Sequence, residues 1–412
     1  MGADLDKLYY DNCCHAHNKF DKLELKLFRV FNLSYNPKKV INESQKNNSL
    51  TSEELFNNSN KELTKALTDV FEVKYEHKNY ALVNKLERNI GLFSAYRSAN
   101  VMLYIKGRTK EEQNAVLAVY ERHLKVESSL VTRTARSAKQ YLTYQENSDL
   151  YPNLEYLPSR SVDKRKEHQE LYGIIKPVND PFWNSYLPPN GWNCKCRVRQ
   201  TDAKETKAKI PNIKLPNGIT GNAVVDEKIF TNSHNSFNPF KDNSVNNKFQ
   251  KRVKKEFEKY KLKIPYKTKP DYKSKNGSKI YVHPYADLSD LDNNYKNAKI
   301  LADNVNNLDI KIRPHINEMT GIGKNKLSNP EYLINGLYAD LKELKTTNIE
   351  NRFRSAKNQG CKIVVFKIKT STHLKTVVNK ITGQIKFRKR NPFAKIYIIQ
   401  NNKVFIYKQQ GE

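Results

Sequence analysis

The sequence predicts a multidomain protein: a mainly α N-terminal module with an irregular Pro/Trp/Cys segment, followed by a C-terminal α/β domain with an α-β-β-β-α-β core. Three observations carry this expectation. The 412 residues exceed what one hydrophobic core usually serves. Apolar residues recur at helical spacing before position 145, and after about 280 a helical stripe is followed by β-like runs joined by Asn-Gly. Between these regions the chain is rich in Lys, Asn and Ser.

The N-terminal helices are expected over 86–105 and 115–144, where Val116, Val119, Leu124, Leu130 and Val131 fall at roughly helical spacing. Residues 35–60 are polar and read as an interruption. From 151 to 200 both tryptophans, Trp183 and Trp192, sit among prolines, which predicts an irregular compact module with a local aromatic core. Together these make a first domain over 1–205. Residues 206–275 read as a basic Lys/Asn-rich linker containing a basic helix at 248–263, and residues 276–412 as the second domain.

Charge narrows the function. The chain has 73 Lys+Arg against 43 Asp+Glu, a net charge of +30, and from Lys279 onward the count is 24 against 11. Such an excess suits a partner dense in phosphate, nucleic acid first. No apolar run reaches the roughly 18 residues of a membrane span, and the opening twenty residues hold no apolar signal core, so synthesis in the cytosol and no membrane partner are expected. Five cysteines, at 13, 14, 194, 196 and 361, suit free thiols or a metal site better than a disulfide framework. Cys13, Cys14, His15 and His17 invite a metal reading but fit a helix surface better.

The C-terminal region carries the chemistry. Leu288, Leu291, Tyr295, Ala298 and Leu301 form a helical stripe, with Asp287 where an N-cap would stand and a helix starting near 288. A strand follows at 309–316. Then EYLINGLYADLKEL (331–344) reads as two strands joined by Asn335-Gly336, the pair that suits a type I′ turn. That register pairs Ile334 with Leu337, Leu333 with Tyr338 and Tyr332 with Ala339, and sets Glu331 opposite Asp340. Like charges placed so are destabilising, and a divalent cation would compensate them. Lys342 shares the face of Asp340 by the two-residue period of a strand. Hard oxygen ligands suit Mg²⁺ or Mn²⁺, and acids, ion and lysine on one face suit phosphodiester hydrolysis. A helix capped by Asn348 and ended by Gly360, then a strand over 361–368, complete the order.

This order, with Glu331, Asp340-x-Lys342 and Gln359, resembles the PD-(D/E)XK nuclease superfamily, whose fold is restriction-endonuclease-like. More narrowly, HPYADLSDLDNNYKNAKILADN, NPEYLINGLYADLKEL and RFRSAKNQGCKIVVFKI resemble the C-terminal toxin domain of CdiA-type tRNA nucleases. The resemblance implies Asp290 as the first acid, where Glu is usual, Glu331 as the second, where Asp is usual, then Asp340, Lys342 and Gln359. Asp287 or Asp292 could replace Asp290. The three acids would hold the divalent metal, Arg352, Arg354, Arg388, Lys389 and Arg390 would contact nucleic acid, tRNA or another RNA would be the substrate, and an immunity protein would be a partner. A metal-free ribonuclease of the barnase, EndoU or colicin type, using His283, His315 or His373, is the competing design. A purely structural virion protein that only binds nucleic acid is the rival from another class.

Residues 155–198, together with LERNIGLFSAYRSANVMLYI upstream, are similar to the Mu F-like minor head (head morphogenesis) proteins of tailed phages and prophages. Asp163, Arg165, His168 and Cys194-Lys195-Cys196 carry the match. The resemblance implies portal and capsid partners, contact with packaged DNA, and a place in the host cytoplasm during assembly and then in the virion head. His168, Cys194 and Cys196 could supply three ligands to Zn²⁺; buried reduced thiols beside the tryptophans are the alternative reading.

Overall fold

The structure, a computed structural model, describes residues 35–46, 50–207, 210–211, 213, 216–317, 328–344, 348–388 and 391–407. Cys13, Cys14, His15, His17, Lys389 and Arg390 lie outside these described residues. The chain divides into two compact units, one of residues up to 73 with 78–257, the other of residues 74–77 with 258 onward.

Helices dominate the start of the first unit: α1 (Pro37–Lys46), α2 (Glu53–Phe71), α3 (Tyr80–Ile105) and α4 (Lys110–Glu146). The ends of two are set locally. The Ser52 side chain accepts the Leu55 N–H at the start of α2, and Thr109 with Glu112 forms a capping box at α4. α3 is buried on nearly every side, the behaviour of a central helix. Inside, Arg97 of α3 lies 3.1 Å from Glu127 of α4, and both side chains are almost wholly buried.

The described residues of the polar stretch 35–60, expected to interrupt the helices, instead form α1 and the first turns of α2. Its polar residues are satisfied in the interior. The Ser59 hydroxyl donates to the Leu55 carbonyl, and Asn58 Oδ1 accepts from the buried Tyr120 hydroxyl at 2.7 Å.

The Pro/Trp/Cys segment folds around a three-stranded antiparallel sheet in the order β2-β1-β3, formed by β1 (Asn153–Leu157), β2 (Ile175–Pro177) and β3 (Arg197–Thr201). Trp183 is fully buried beside Phe182, and Trp192 is buried against His234, so the expected aromatic core is present.

Much of the segment expected to be a basic linker is folded into the first unit. Ile229, Phe230, Phe237, Phe249 and Val253 are buried, and Phe230 stacks on Phe93 with ring centroids 3.7 Å apart. Scattered among Lys and Asn, these apolar residues are too few to show in the segment's composition. Gly218, at φ +92, lies where a Cβ would come within 2.7 Å of the His234 ring. The expected basic helix forms as α5 (Asn243–Lys261), and the unit boundary falls within it.

The second unit is built on a mixed eight-stranded sheet in the order β11-β10-β9-β8-β7-β6-β5-β4. Its strands are β4 (Tyr272–Lys273), β5 (Lys279–Val282), β6 (Asp309–Ile312), β7 (Tyr332–Ile334), β8 (Leu337–Leu344), β9 (Ile363–Ile368), β10 (Lys395–Gln400) and β11 (Lys403–Ile406). β5 and β6 are parallel, as are β8, β9 and β10; the other neighbours are antiparallel. Helices α6 (Leu291–Asn304), α7 (Ile349–Asn358) and α8 (Leu374–Phe387) complete it. Phe353 of α7 and Ile381 of α8 bury themselves with Val364 and Phe366 of β9 and Ile396 and Ile398 of β10.

From α6 to β9 the order is α-β-β-β-α-β, as expected, but three details differ. α6 starts at Leu291, because the Asp287 carboxylate accepts from the Ser289 N–H and hydroxyl within a turn; Asp290 takes the N-cap position without a side-chain capping bond. β6 ends at Ile312 instead of 316, since Pro314 has no N–H to give a ladder. β4 lies upstream of residue 276, so the sheet begins before the expected domain start.

A carboxylate and lysine cluster as candidate active site

Asn335 and Gly336, at φ 48 and 79, make the two-residue turn that joins β7 to β8. The register is the one their sequence predicts: Ile334 with Leu337, Leu333 with Tyr338, Tyr332 with Ala339. Glu331 stands one residue before the ladder, where the same register sets it toward Asp340. Asp340 is fully buried, and the Lys342 Nζ lies 2.5 Å from its Oδ2.

The electrostatics follow from burial. Desolvation pushes the Glu331 carboxyl up to about 7; the Asp340 charge adds to this and that of Asp290 adds less, while Lys342 and a hydrogen bond from Asn294 work against them. The Asn294 amide donates to Glu331 Oε2 at 2.9 Å. Burial raises the Asp340 carboxyl too, opposed chiefly by Lys342 and more weakly by Arg352. At neutral pH the pair therefore tends to retain a proton, the condition of two oxygen donors that a cation would relieve.

An open groove of about 1340 Å³ lies at the carboxyl ends of β8, β9 and β10, beside α6. Lys296, Lys299, Arg352, Lys367 and Lys369 line it, so it is basic. Ligands of sheets with parallel strands favour this end. α6 links groove and acids: Asn294 bonds Glu331, and neighbouring Asn293 accepts from the Lys367 ammonium at 3.4 Å.

Not every expected residue joins the cluster. Asp290 is exposed at the start of α6, where its charge reaches Glu331. Gln359 caps the end of α7, its Oε1 buried with no hydrogen-bond partner. Arg354 pairs with Glu350 on its own helix at 2.7 Å. Arg388 lies over the Phe353 ring and lines a smaller hollow with Lys357 and Lys362. Among the described residues, three metal-ligating side chains converge within 4.8 Å only at His168, Cys194 and Cys196. Of the histidines available to a metal-free design, His283 is buried with its Nδ1 accepting from the Tyr285 N–H, and His315 lies 3.4 Å from Asp287.

Three contributors escaped the sequence reading. Asn294 could have been found as the residue one helical turn after Asp290. Lys367 could have been found as the residue that the parallel register pairs with Glu343, beside Lys342. Arg313 gave no such signal: it is buried, its N–H donates to the Glu331 carbonyl, and its guanidinium donates to the Pro330 carbonyl at 2.6 Å, which fixes the backbone that carries Glu331.

Comparison with known proteins finds two separate matches. Residues 98–199 match the family described as Phage Mu protein F like protein, and residues 328–404 match the contact-dependent growth inhibition CdiA C-terminal domain. A protein of Escherichia phage Mu named for capsid assembly, protein F, is 41% identical over 76 residues, which cover 18% of this chain and 17% of that protein. The Mu-like prophage FluMu F protein of Haemophilus influenzae is 34% identical over 93 residues, 22% of each chain. The matched segments thus span less than a quarter of these relatives. No solved structure matches. The chain thus joins a segment similar to the Mu F-like proteins to one similar to the CdiA C-terminal domain.

Proposed function

We propose that this is a phage head morphogenesis protein whose second unit is a metal-dependent endoribonuclease, with tRNA the favoured substrate class. The observation that carries the reading is the cluster itself: a fully buried Asp340 whose charge raises the proton affinity of the half-buried Glu331, with Lys342 2.5 Å from Asp340 and a basic groove at the carboxyl end of the same strand. The α-β-β-β-α-β order supports a restriction-endonuclease-like core.

Asp340 and Glu331, with Asp290 nearby, are the residues that would hold Mg²⁺ or Mn²⁺. Bound there, the ion would supply an activated water and stabilise charge on the phosphate. The chain's own residues do the rest. Lys342 donates to the scissile phosphate once the acids are neutralised, Asn294 fixes the Glu331 carboxylate, and Arg313 fixes its backbone. Lys296, Lys299, Arg352 and Lys367 hold the phosphate backbone along the groove. Asp340 is wholly buried, so substrate approaches from the partly exposed Glu331 and Lys342 side.

The first unit would place this activity in the phage head, with portal and capsid proteins and packaged DNA as partners and an immunity protein restraining the nuclease in the producing cell. Assembly would occur in the host cytoplasm. No helix among the described residues is long and apolar enough to cross a membrane.

The test uses the full chain on total RNA and on DNA with Mg²⁺, Mn²⁺ or EDTA. Cleavage of RNA that EDTA abolishes and that Asp340→Asn and Lys342→Met remove is expected. Cleavage undiminished by EDTA would replace the metal mechanism with the metal-free design. Binding without cleavage by the wild-type chain would leave the structural rival.

A further inference from the structure

We propose that His168, Cys194 and Cys196 together bind one zinc ion in the first unit, a site independent of the nuclease reading. The His168 Nδ1 lies 3.7 Å from the Cys194 sulfur and 3.6 Å from the Cys196 sulfur. Tetrahedral zinc, with Zn–S ≈ 2.3 Å and Zn–N ≈ 2.0–2.1 Å, sets nitrogen and sulfur about 3.6 Å apart. A ring nitrogen has one lone pair or one proton, so it serves one thiol well as a hydrogen-bond partner. Two sulfurs equally close to the same nitrogen are better explained by an ion that all three face.

The setting fits such an ion. All three side chains are buried and the two cysteines are unpaired, so the donors are sheltered from oxidant and from competing water. Two thiolates and a neutral imidazole offset the charge of Zn²⁺, where two buried thiolates alone would be costly. The loop is held from outside. Arg165 donates to the Trp192 carbonyl at 2.5 Å and Arg133 to the Cys194 carbonyl at 2.6 Å. Asn193 is at φ +58, and the Cys194 N–H donates to the Gly191 carbonyl, which turns both sulfurs toward the helical turn that carries His168.

A second observation marks the site. Asn190 is fully buried, and its amide donates to the Tyr156 hydroxyl, yet its Oδ1 has no partner. The Tyr156 ring stacks on that of Tyr172, whose hydroxyl accepts from the Ser159 N–H. A water as fourth ligand would enter this hydrogen-bonded group with protons to donate. The ion would then tie residue 168 to the 190–196 loop and the start of β3, in a segment with little regular structure of its own.

Metal analysis of the full chain, purified under reducing conditions without chelator, tests this. One zinc per chain is expected, falling below one-tenth in Cys194→Ser, Cys196→Ser and His168→Gln and unchanged in the buried-thiol control Cys361→Ser. As the ligand variants could fail to fold, cobalt exchanged into the wild-type chain gives a second reading. It should show tetrahedral d–d bands and a thiolate-to-cobalt band corresponding to two sulfurs. Wild-type chain that holds no zinc after incubation with excess zinc and dialysis, or a Cys194–Cys196 disulfide found in the non-reduced protein, would overturn the proposal.

Discussion

Lys342 and Asp340 stand two residues apart on β8, with the ammonium 2.5 Å from a carboxylate that has no exposure to solvent. The two-residue period of a strand makes this contact local. What the fold adds is Glu331, brought from the facing segment by the hairpin, so that a second acid shares the burial and one lysine serves both. Lys342→Met should therefore leave binding of RNA nearly unchanged and lower its cleavage rate by roughly 10²–10³-fold, the usual loss for a group that stabilises developing charge. Single-turnover cleavage at saturating protein measures this.

Glu331 predicts a pH dependence of stability in metal-free protein. Its carboxyl is raised from 4.5 to about 7, so the stability it contributes is fully present below about 4.5 and is lost as pH rises through 7. Glu331→Gln keeps an acceptor for Asn294 and removes the titration. The variant should gain on wild type between pH 5 and 8, by roughly 3 kcal/mol at most. Urea unfolding followed by circular dichroism across that range checks it; a constant difference would contradict the burial.

His234 predicts the opposite slope in the first unit. Burial, with a smaller contribution from Arg97, pushes this imidazole down to about 3, and its Nδ1 accepts from the Ser236 N–H. A depressed histidine contributes stability that is present above its unfolded value of 6.5 and is lost as pH falls toward 3. His234→Asn retains an acceptor and does not titrate, so it should flatten the loss of stability between pH 6.5 and 4.5. Both tryptophans lie in the first unit, so tryptophan emission reports that unit selectively.

Arg97 and Glu127 give a stability prediction. Glu127→Ala leaves a buried guanidinium without its carboxylate and should cost about 3–5 kcal/mol. Arg97→Met combined with Glu127→Leu should recover much of that loss, read in the same tryptophan-monitored unfolding.

The hairpin turn gives another. Gly336→Val forces a β-branched residue to φ +79 and should cost at least about 1–2 kcal/mol. Cleavage should fall as well, because the turn sets the register that brings Glu331 to Asp340.

The parts of the candidate site most legible in the sequence were those governed by local rules. Asn335-Gly336 specified its turn, the turn specified the register, and the strand period put Lys342 beside Asp340. Asn294, Arg313 and Lys367 reach the site through packing and sheet order, which span tens of residues and leave little local trace. In the fold, α4 was read from periodicity and α3 from its long apolar-rich run. α2 was missed because Asn58 and Ser59 look exposed yet are buried with hydrogen-bond partners, and the burial of Phe230 and Phe249 was hidden by the lysines and asparagines around them.

β4 has one further consequence. Its two residues, with Asp271 accepting the Val282 N–H, finish the side of the sheet that β5 would otherwise leave bare. A gene fragment joined to another carrier at codon 276 would arrive without that border. If such endings travel between genomes by recombination, a junction that keeps the sheet whole falls before Asp271.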